Sequence, residues 1–464
     1  MTEEHQYYHA LKINESLCYG CTHCMTKCPA DAIRIRDGKV QIKREWCVYC
    51  GECMKACPVD AFYIEQDDFD KIFDYKYRVA LVPFVMFGQF PSKISEAEIF
   101  NEMKELGFTH IYQTEYTVDV VHEEMLEFQK NNPEKPLISS YCPAIIRLIQ
   151  VRFPSLVNHI ITVKPPIDSS AMFFRKKLRD EGIAPEDIGI FYVTPCAAKI
   201  AAVKSPVGEE KSSVDGVINM NFLYNKVYHR IKNKPKGTNS QGDTSLPDLG
   251  RKSTQWSLTH GETPYMKGRC LAIDEIHNVI EFLEKIENDE VTGVDFLELR
   301  ACDEGCSGGI LVVGNRFLTV ERLRKRAEHF KDIQEMPEDL KPYSEYLRKR
   351  ITLKAIEPRS MLVLDKDTGK ALQKMLQVNK LLEFLPGIDC GACGSPKCQS
   401  LARDIVRNEA NLSHCVFIQR KMEKNKKLHG DHAIRIIEKV WGKDRLIKDK
   451  NKDNNKTEDK NESK

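Results

Sequence analysis

The sequence predicts an α/β protein, with a small duplicated α+β unit before the main domain and a small, mostly helical unit after it. Three observations support this prediction. Short apolar strands alternate with amphipathic helices from about Tyr77 onward, which is typical of α/β domains. A cysteine-rich motif occurs twice in tandem near the N-terminus, and a third cysteine group follows a helical pattern near the C-terminus.

Composition narrows the class of protein. The chain has 464 residues, seventeen cysteines and a formal net charge of +2, so its charge gives no reason to expect nucleic acid as a partner. The N-terminus resembles no export signal, and the most apolar run, residues 79–90, is too short to span a bilayer. Because disulfides are rare in reducing compartments, we expect a cytoplasmic protein, not bound to a membrane, whose clustered thiols bind metal.

The duplicated unit, residues 1–76, contains two Cys-x2-Cys-x2-Cys-x3-Cys-Pro runs. This is the bacterial two-cluster ferredoxin arrangement, in which the last cysteine of each run ligates the other cluster. We therefore expect one 4Fe-4S cluster on Cys18, Cys21, Cys24 and Cys57, and a second on Cys47, Cys50, Cys53 and Cys28. Zinc is the alternative, but zinc sites usually pair two Cys-x2-Cys units across a longer gap.

The main domain, residues 77–365, contains the alternating pattern. Apolar runs predict strands over 78–82, 109–113, 137–140, 188–193 and 294–299, and helical patterns lie between them, for example at 96–106 and 275–286. Residues 232–254 are rich in Lys, Gly, Ser, Asn and Pro and lack apolar periodicity. We interpret them as a surface insertion.

The C-terminal unit, residues 366–442, begins with a helical pattern over 372–385. Four cysteines follow, at Cys390, Cys393, Cys398 and Cys415, in a run that resembles the small 4Fe-4S module of corrinoid iron-sulfur proteins. Zinc is again the alternative ligand. An amphipathic segment over 433–441 is consistent with a docked core helix or with a contact for a signalling partner. Residues 443–464 are charged and rich in Asn, and we expect them to be disordered.

Four further cysteines lie where predicted strands end. Cys142 follows the third predicted strand, Cys196 follows the fourth, and Cys302 and Cys306 follow the fifth. Functional groups of α/β domains gather at the carboxyl edge of the sheet, so these thiolates can meet in one four-cysteine site. Cys270 has no such setting, and we interpret it as a buried structural thiol.

The segments around these cysteines resemble the catalytic domain of FeFe-hydrogenases, which contains Cys-Cys-Pro, Pro-Cys-x-x-Lys and Cys-x3-Cys segments. The resemblance covers roughly residues 77–345 and, with the ferredoxin repeat, most of the chain. It implies two mixed sheets flanked by helices around an H-cluster, in which a 4Fe-4S cubane joins a two-iron subcluster with carbonyl, cyanide and azadithiolate ligands. It further implies that the cubane is held by Cys142, Cys196, Cys302 and Cys306.

The same resemblance assigns roles to single residues. It implies that the Cys306 thiolate bridges to the two-iron subcluster and that Lys199 bonds a cyanide. It also places Pro83 in the segment whose backbone contacts the other cyanide. Glu124 and Glu127 lie one helical turn apart in a segment similar to the family's proton-relay helix. The alternative is that they are ordinary solvated acids.

The sequence departs from the family's pattern at two places. Tyr141 stands where the family has the cysteine that passes protons to the active site, and a phenol is a weaker acid than a thiol by about 2 kcal/mol per proton. Arg300 and residues 303–305 add charged side chains to the Cys-x3-Cys segment. With the C-terminal cluster module, these changes resemble the family's sensory branches and imply a slow, regulatory hydrogenase.

The resemblance also implies the substrates and partners. It implies reversible heterolysis of H2 into protons and electrons, with the electrons passed through the accessory clusters to a soluble carrier such as ferredoxin or to a signalling partner. Maturation enzymes would deliver the two-iron subcluster, and a homodimer is compatible with the family. The alternative is a non-catalytic iron-sulfur protein for electron transfer or cluster assembly, which retains only a cubane at the central site.

Overall fold

The computed structural model describes residues 8–133, 136–234, 249–330, 336–359, 364–365 and 367–443. The chain divides into two compact units. The first contains Val48–Gly51 and Ile64–Ser360 together with the residues up to Lys12, and the second contains Ile13–Cys47, Glu52–Tyr63 and the residues from Met361 onward. Within the described ranges, no helix is both long enough and apolar enough to cross a membrane.

The described strands are β1 (Leu11–Ile13), β2 (Ile33–Arg36), β3 (Lys39–Ile42), β4 (Phe62–Ile64), β5 (Tyr77–Val82), β6 (His110–Gln113), β7 (Leu137–Ile138), β8 (Ile188–Thr194), β9 (Gly216–Asn219), β10 (Cys270–Ile273) and β11 (Phe296–Leu299). The described helices are α1 (His23–Lys27), α2 (Glu52–Lys55), α3 (Glu96–Glu105), α4 (Val118–Asn131), α5 (Pro143–Arg152), α6 (Pro166–Asp180), α7 (Ala197–Lys204), α8 (Met220–Asn233), α9 (Arg251–Gln255), α10 (Ile276–Glu287), α11 (Arg316–Ala327), α12 (Ser344–Arg348), α13 (Thr368–Phe384), α14 (Cys398–Val406), α15 (Val416–Lys424) and α16 (Gly430–Trp441).

The larger sheet of the first unit has the strand order β6-β5-β8-β9. Its pairings are all parallel, with Leu81 of β5 opposite Tyr112 of β6 and Tyr192 of β8. Strand β8 is buried along its whole length, as expected when helices cover both faces of a parallel sheet. The α/β prediction is confirmed.

The smaller sheet of the first unit has the order β10-β11-β7, with Phe296 opposite both Cys270 and Leu137 in parallel pairs. Among the described strands, all pairings in these two sheets are therefore parallel. The prediction of two mixed sheets is wrong in this respect. The physical reason is the connectivity, because a helix between consecutive strands returns the chain to the same edge and makes the next strand parallel.

Cys270 differs from its prediction. It begins β10, a strand that the sequence analysis missed, and its side chain is half-buried, with Sγ 3.4 Å from the carbonyl oxygen of Lys267. It is therefore not a fully buried thiol. Because β10 is an edge strand of only four residues, its first side chain keeps access to solvent.

The second unit joins the duplicated cysteine region to the C-terminal cysteine region. Strands β2 and β3 form an antiparallel hairpin, and the backbone N–H of Ile35 in β2 donates to the carbonyl of Gly394 at 2.9 Å. The N–H of Gly38 donates to the carbonyl of Val440 at the end of α16. Helix α13 packs on α14 through a core that includes Val378. Helices α13 and α16 confirm the helical patterns predicted for 372–385 and 433–441.

Two predictions fall on residues that the structure does not fully describe. Of the insertion predicted over 232–254, residues 235–248 lie outside the described residues, while α8 ends at Asn233 and α9 begins at Arg251. The tail predicted over 443–464 also lies outside the described residues, apart from Lys443.

Candidate active site

The four central cysteines follow the ends of three parallel strands of the first unit. Cys142 comes after β7 and precedes α5, Cys196 lies between β8 and α7, and Cys302 comes after β11. Cys306 lies in a 3-10 turn over Gly305–Gly308, and its backbone N–H donates to the carbonyl of Ser257 at 2.9 Å. The carboxyl edges of both sheets of this unit thus contribute to one region.

Electrostatic interactions connect these cysteines. Burial raises the pKa of the Cys196 thiol to about 12, Lys199 opposes this shift, and Cys306 and Cys142 add to it. Cys302 lies at the start of the turn that holds Cys306, and a Cβ on Gly308 would lie only 3.3 Å from the Cys302 Cβ. Cys142, Cys196 and Cys306 thus lie within electrostatic range of one another, and Cys302 lies in the turn that leads to Cys306.

Lys199 and Tyr141 lie directly beside this group. Lys199 is only 6% exposed, and its Nζ donates to the Tyr141 hydroxyl at 3.1 Å and lies 3.6 Å from the Cys306 sulfur. The Tyr141 hydroxyl is also 3.6 Å from the Cys306 sulfur. Lys199 and Tyr141, both selected from the sequence, thus flank the thiolate that the resemblance assigns to the bridge.

A buried charge network supports the other face of Tyr141. The guanidinium of Arg300 lies 4.1 Å from the centre of the Tyr141 ring. It also contacts the carboxylates of Glu262 at 2.8 Å and Glu298 at 3.3 Å. The Ser139 hydroxyl donates to Glu262 at 2.8 Å. Glu262 and Glu298 were missed in the sequence analysis, because they come from separate segments and match no motif.

Burial raises the pKa of Glu262 to about 7, against the opposing effect of Arg300. The neighbouring carboxylate of Glu298 adds to the increase. This carboxylate accepts backbone N–H groups from Gly261, Glu262 and Thr263 at 2.9 to 3.2 Å. Arg300 is therefore held between two carboxyl groups, which explains why a charged side chain is tolerated under the Tyr141 ring.

Pro83 lies immediately after β5, at the start of a 3-10 turn over Phe84–Gln89. The backbone N–H of Phe84 donates to both carboxylate oxygens of Glu115, at 3.0 and 3.1 Å. The segment expected to offer its backbone to a cyanide therefore already has an internal acceptor. Glu115 was also missed in the sequence analysis, since it lies in a short turn whose burial depends on tertiary packing.

The proton-relay residues predicted from the sequence lie elsewhere. Glu124 is next to Arg348 on the outer side of α4, and the side chain of Glu127 is 58% exposed. The inward face of α4 includes Val118, Val121 and Met125. Both residues were selected as candidate relay residues. Neither lines the cavity next to Lys199 and Tyr141, and the exposure of Glu127 fits the alternative, an ordinary solvated acid.

The first accessory site is formed within the second unit. Cys18, Cys21, Cys24 and Cys57 line one small cavity, which is the crossed set predicted from the duplicated motif. The two halves of the repeat also match locally. The Cys28 sulfur accepts the N–H of Ala32 at 3.3 Å, and the Cys57 sulfur accepts the N–H of Ala61 at 3.3 Å.

The C-terminal cysteines also approach one another. Burial raises the pKa of the Cys393 thiol, and the charges of Cys415 and Cys390 add to this. Arg36 opposes the shift, and its guanidinium donates to the carbonyl of Gly394 at 2.8 Å. Cys398 begins α14, and its N–H donates to the Asp389 carboxylate at 2.7 Å.

Comparison with known proteins agrees with this arrangement. A family model for the C-terminal domain of the iron-only hydrogenase large subunit matches residues 78–225, which include Cys142, Cys196 and Lys199. This part of the chain is therefore similar to the C-terminal domain of iron-only hydrogenase large subunits. Two further models, for a 4Fe-4S dicluster domain and for an Fe-S cluster domain, match residues 10–58 and 385–417. The chain therefore also resembles iron-sulfur proteins in these two regions.

Its similarity to individual hydrogenases is low. The large subunit of the periplasmic [Fe] hydrogenase of Nitratidesulfovibrio vulgaris is 27% identical over 38% of this chain and 42% of its own length. Iron hydrogenase 1 of Clostridium pasteurianum is 22% identical over 43% of this chain and 35% of its own length. The matched part of the chain thus spans less than half of these relatives. A variant of the [FeFe]-hydrogenase HydA1 from Chlamydomonas reinhardtii, compared as a structure, is 15% identical with a TM-score of 0.47, covering 61% of this chain and 94% of the other.

The residues present are compatible with the FeFe-hydrogenase cofactor. Four thiolates are the donor set of a 4Fe-4S cubane, and the buried ammonium of Lys199 lies beside the Cys306 sulfur. Two features depart from the family's pattern. These are the ring of Tyr141 in place of a second cysteine, and the occupation of the Phe84 N–H by Glu115.

Proposed function

We propose that this chain is a slow FeFe-hydrogenase that catalyses reversible heterolysis of H2 into protons and electrons and serves a sensory or regulatory role. The observation that carries the proposal is the contact of Lys199 with Cys306 among four cysteines that follow the ends of parallel strands. A structural site for zinc would not need a buried lysine next to its thiolates.

In this proposal Cys142, Cys196, Cys302 and Cys306 hold the cubane of an H-cluster, and Cys306 also faces the two-iron subcluster. When bound, the H-cluster supplies the hydrogen chemistry, and the protein supplies orientation and electrostatics. Lys199 donates hydrogen bonds from its buried ammonium and compensates negative charge beside Cys306. Pro83 fixes the direction of the chain at the end of β5, so that the following turn packs against the site.

The accessory cysteines are proposed to carry electrons. One cluster would be held by Cys18, Cys21, Cys24 and Cys57, a second by Cys47, Cys50, Cys53 and Cys28, and a third by Cys390, Cys393, Cys398 and Cys415. These clusters would exchange electrons with a soluble carrier such as ferredoxin or with a signalling partner. Every cysteine lies in the described part of the chain, and there none forms a disulfide, which supports a reducing compartment such as the cytoplasm.

The low turnover follows from Tyr141. Its hydroxyl is a weaker acid than the thiol it replaces, and the side chain is only 7% exposed and contacts Lys199. A residue held in this way passes protons slowly in either direction. A slow enzyme whose clusters respond to hydrogen is suited to reporting hydrogen or redox state to a partner.

Infrared spectroscopy tests the proposal directly. The chain is produced anaerobically with FeFe-hydrogenase maturation enzymes, and sharp carbonyl and cyanide bands are expected together with measurable hydrogen turnover. The Cys306→Ser variant should lose these bands, whereas Cys270→Ser, a matched control outside every proposed site, should retain them. Full iron loading of the other clusters without carbonyl or cyanide bands would identify the alternative, an iron-sulfur protein with only a cubane at the central site.

A further inference from the structure

A cavity of about 60 Å³ in the first unit is lined by the two side chains that lie 3.6 Å from the Cys306 sulfur. Lys199 and Tyr141 line one side of it, and two carboxyl groups that the proposed mechanism does not use, Glu115 and Asp168, line it as well. This volume is large enough for a few ordered water molecules. Buried acids that share a water-sized cavity with an active site can exchange protons through that water.

Glu115 is the inner of these two acids. It is only 2% exposed, and besides the Phe84 N–H it accepts the Thr114 hydroxyl at 2.9 Å. The charged and titratable groups that face it are Lys199, Tyr141 and Tyr192. Burial raises the pKa of Glu115 to about 7, although its hydrogen bonds and Lys199 oppose this. The carboxyl can therefore both accept and release a proton near neutral pH.

Asp168 is the outer acid, in the first turn of α6. It accepts the Ser212 hydroxyl at 3.3 Å. Burial raises its pKa to about 7, the nearby Glu209 adds to the increase, and Lys164 and Lys199 oppose it. Lys164 and Glu209 form an ion pair whose side chains are 13% and 14% exposed. Glu209 lines the same cavity as Asp168, so this pair joins the cavity wall near Asp168 to solvent.

We propose that Asp168 and Glu115 form a proton relay that connects solvent at the Lys164–Glu209 pair to the active-site cavity. In the inward direction, Asp168 takes a proton from hydronium or protonated buffer in the solvent at this pair, which leaves water or the buffer base, and passes it through cavity water to Glu115. Each carboxyl gives up one proton for every proton it receives, so the charge of the route is unchanged after each transfer. The same steps run in reverse when hydrogen is oxidised.

This inference rests on the proposed function and replaces the route first predicted through Glu124 and Glu127. Those two residues do not line the cavity, whereas Glu115 and Asp168 do. The contact between Glu115 and the Phe84 N–H also fixes the inner carboxyl at the end of β5. The relay therefore approaches the site from the side of β5 and α6 and not along α4.

The first experiment does not depend on hydrogen chemistry. Protein produced without maturation enzymes, with its iron-sulfur clusters present, is titrated by infrared difference spectroscopy across neutral pH. A protonated carboxyl band that disappears near pH 7 is expected in the parent. This band should be reduced in Glu115→Gln and in Asp168→Asn, and unchanged in Glu123→Gln, a matched control on the exposed side of α4. A spectrum that is identical in the parent and both cavity variants would overturn the relay.

The second experiment uses the fully matured protein. Glu115→Gln and Asp168→Asn should each lower hydrogen turnover by about a hundredfold while their carbonyl and cyanide bands remain, and Glu123→Gln should turn over at the parental rate. If the parent itself shows no such bands, the proposed function fails and the relay with it. If the parent has the bands but both variants keep its rate, or if Glu124→Gln alone slows it, the relay fails and the proposed function stands.

Discussion

The Tyr141 hydroxyl accepts a hydrogen bond from the Lys199 ammonium at 3.1 Å, next to the Cys306 sulfur. The same ring contacts two cations, with the Lys199 nitrogen 4.2 Å and the Arg300 guanidinium 4.1 Å from its centre. Contacts of this kind stabilise a desolvated ring by about 2 kcal/mol each. These contacts therefore hold the Tyr141 side chain in one position beside the Cys306 sulfur.

We predict that Tyr141→Cys raises hydrogen turnover of the matured protein by roughly thirtyfold, because a thiol is about 1.5 pKa units more acidic than a phenol. The measurement is hydrogen oxidation and evolution with a soluble electron carrier. Tyr141→Phe is the control, since it keeps the ring but removes the hydroxyl, and it should be no faster than the parent. A Tyr141→Cys variant that is as slow as the parent would show that proton supply does not limit the rate.

Arg300→Met should destabilise the first unit. The substitution keeps a similar side-chain length but leaves the buried carboxylates of Glu262 and Glu298 without their cation, and breaking a buried ion pair costs about 3–5 kcal/mol. The midpoint of thermal unfolding under anaerobic conditions should fall. Adding Glu262→Gln to this variant should recover part of the loss, because it removes one uncompensated charge. A double variant less stable than Arg300→Met would contradict this account.

The sequence predicted the cysteine groups and the strands that precede them, because both are local patterns. The spacing of Cys18, Cys21 and Cys24 indicates three ligands of one cluster, and the apolar run of residues 188–193 predicts a buried strand. Glu115 and Asp168 could not be selected in this way. Their chemistry depends on packing between β5, α6 and α7, and an isolated acid in a short turn gives no signal in the sequence. The sequence also did not show which face of α4 is buried. In the structure, its buried Val and Met side chains determine which glutamates are exposed.

The crossed ligation predicted for the duplicated motif can be tested by pairs of variants. Cys57 lines the same cavity as Cys18, so Cys57→Ser and Cys18→Ser should remove the same cluster signal. Cys47→Ser should remove a different one. Electron paramagnetic resonance of the reduced protein and its iron content provide the measurement. If Cys57→Ser instead reproduced the spectrum of Cys47→Ser, each motif would hold its own cluster and the crossed arrangement would be wrong.

Asp404→Asn should weaken the second unit. The Asp404 carboxylate, on α14, binds the Arg34 guanidinium of β2 through two hydrogen bonds, and both side chains are at most 3% exposed. Arg36 contacts the same carboxylate at 3.4 Å. Asp404→Asn removes the carboxylate charge and leaves the buried Arg34 and half-buried Arg36 guanidinium groups beside a neutral amide, at a cost of about 3–5 kcal/mol.

The measurement for Asp404→Asn is the midpoint of thermal unfolding together with occupancy of the C-terminal cluster, because Arg36 also holds the carbonyl of Gly394 beside Cys393. Asp431→Asn is the matched control. Its carboxylate is exposed on α16, and the change should be within about 0.5 kcal/mol of neutral. Equal stability of the two variants would mean that the Arg34–Asp404 pair contributes nothing measurable.

His122 should make the first unit sensitive to mild acid. Its Nδ1 accepts the Lys252 ammonium at 2.7 Å and its Nε2 donates to the carbonyl of Tyr265 at 2.7 Å, so the neutral ring fits both partners. Burial, with a further contribution from Lys252, lowers its pKa to about 4. Between pH 6.5 and 4 the unfolded chain binds a proton that the folded chain does not. Stability is therefore fully present above pH 6.5 and falls as the pH decreases, by about 3 kcal/mol in total.

His122→Gln tests this dependence, because glutamine can accept from Lys252 and donate to Tyr265 but does not titrate. The variant should lose less stability than the parent between pH 7 and pH 4, as measured by the difference in their unfolding midpoints at each pH. A buried acid such as Glu262, with its pKa raised to about 7, works in the opposite direction and stabilises the folded chain as the pH falls. A parent and variant with parallel pH profiles would assign the acid sensitivity to other groups.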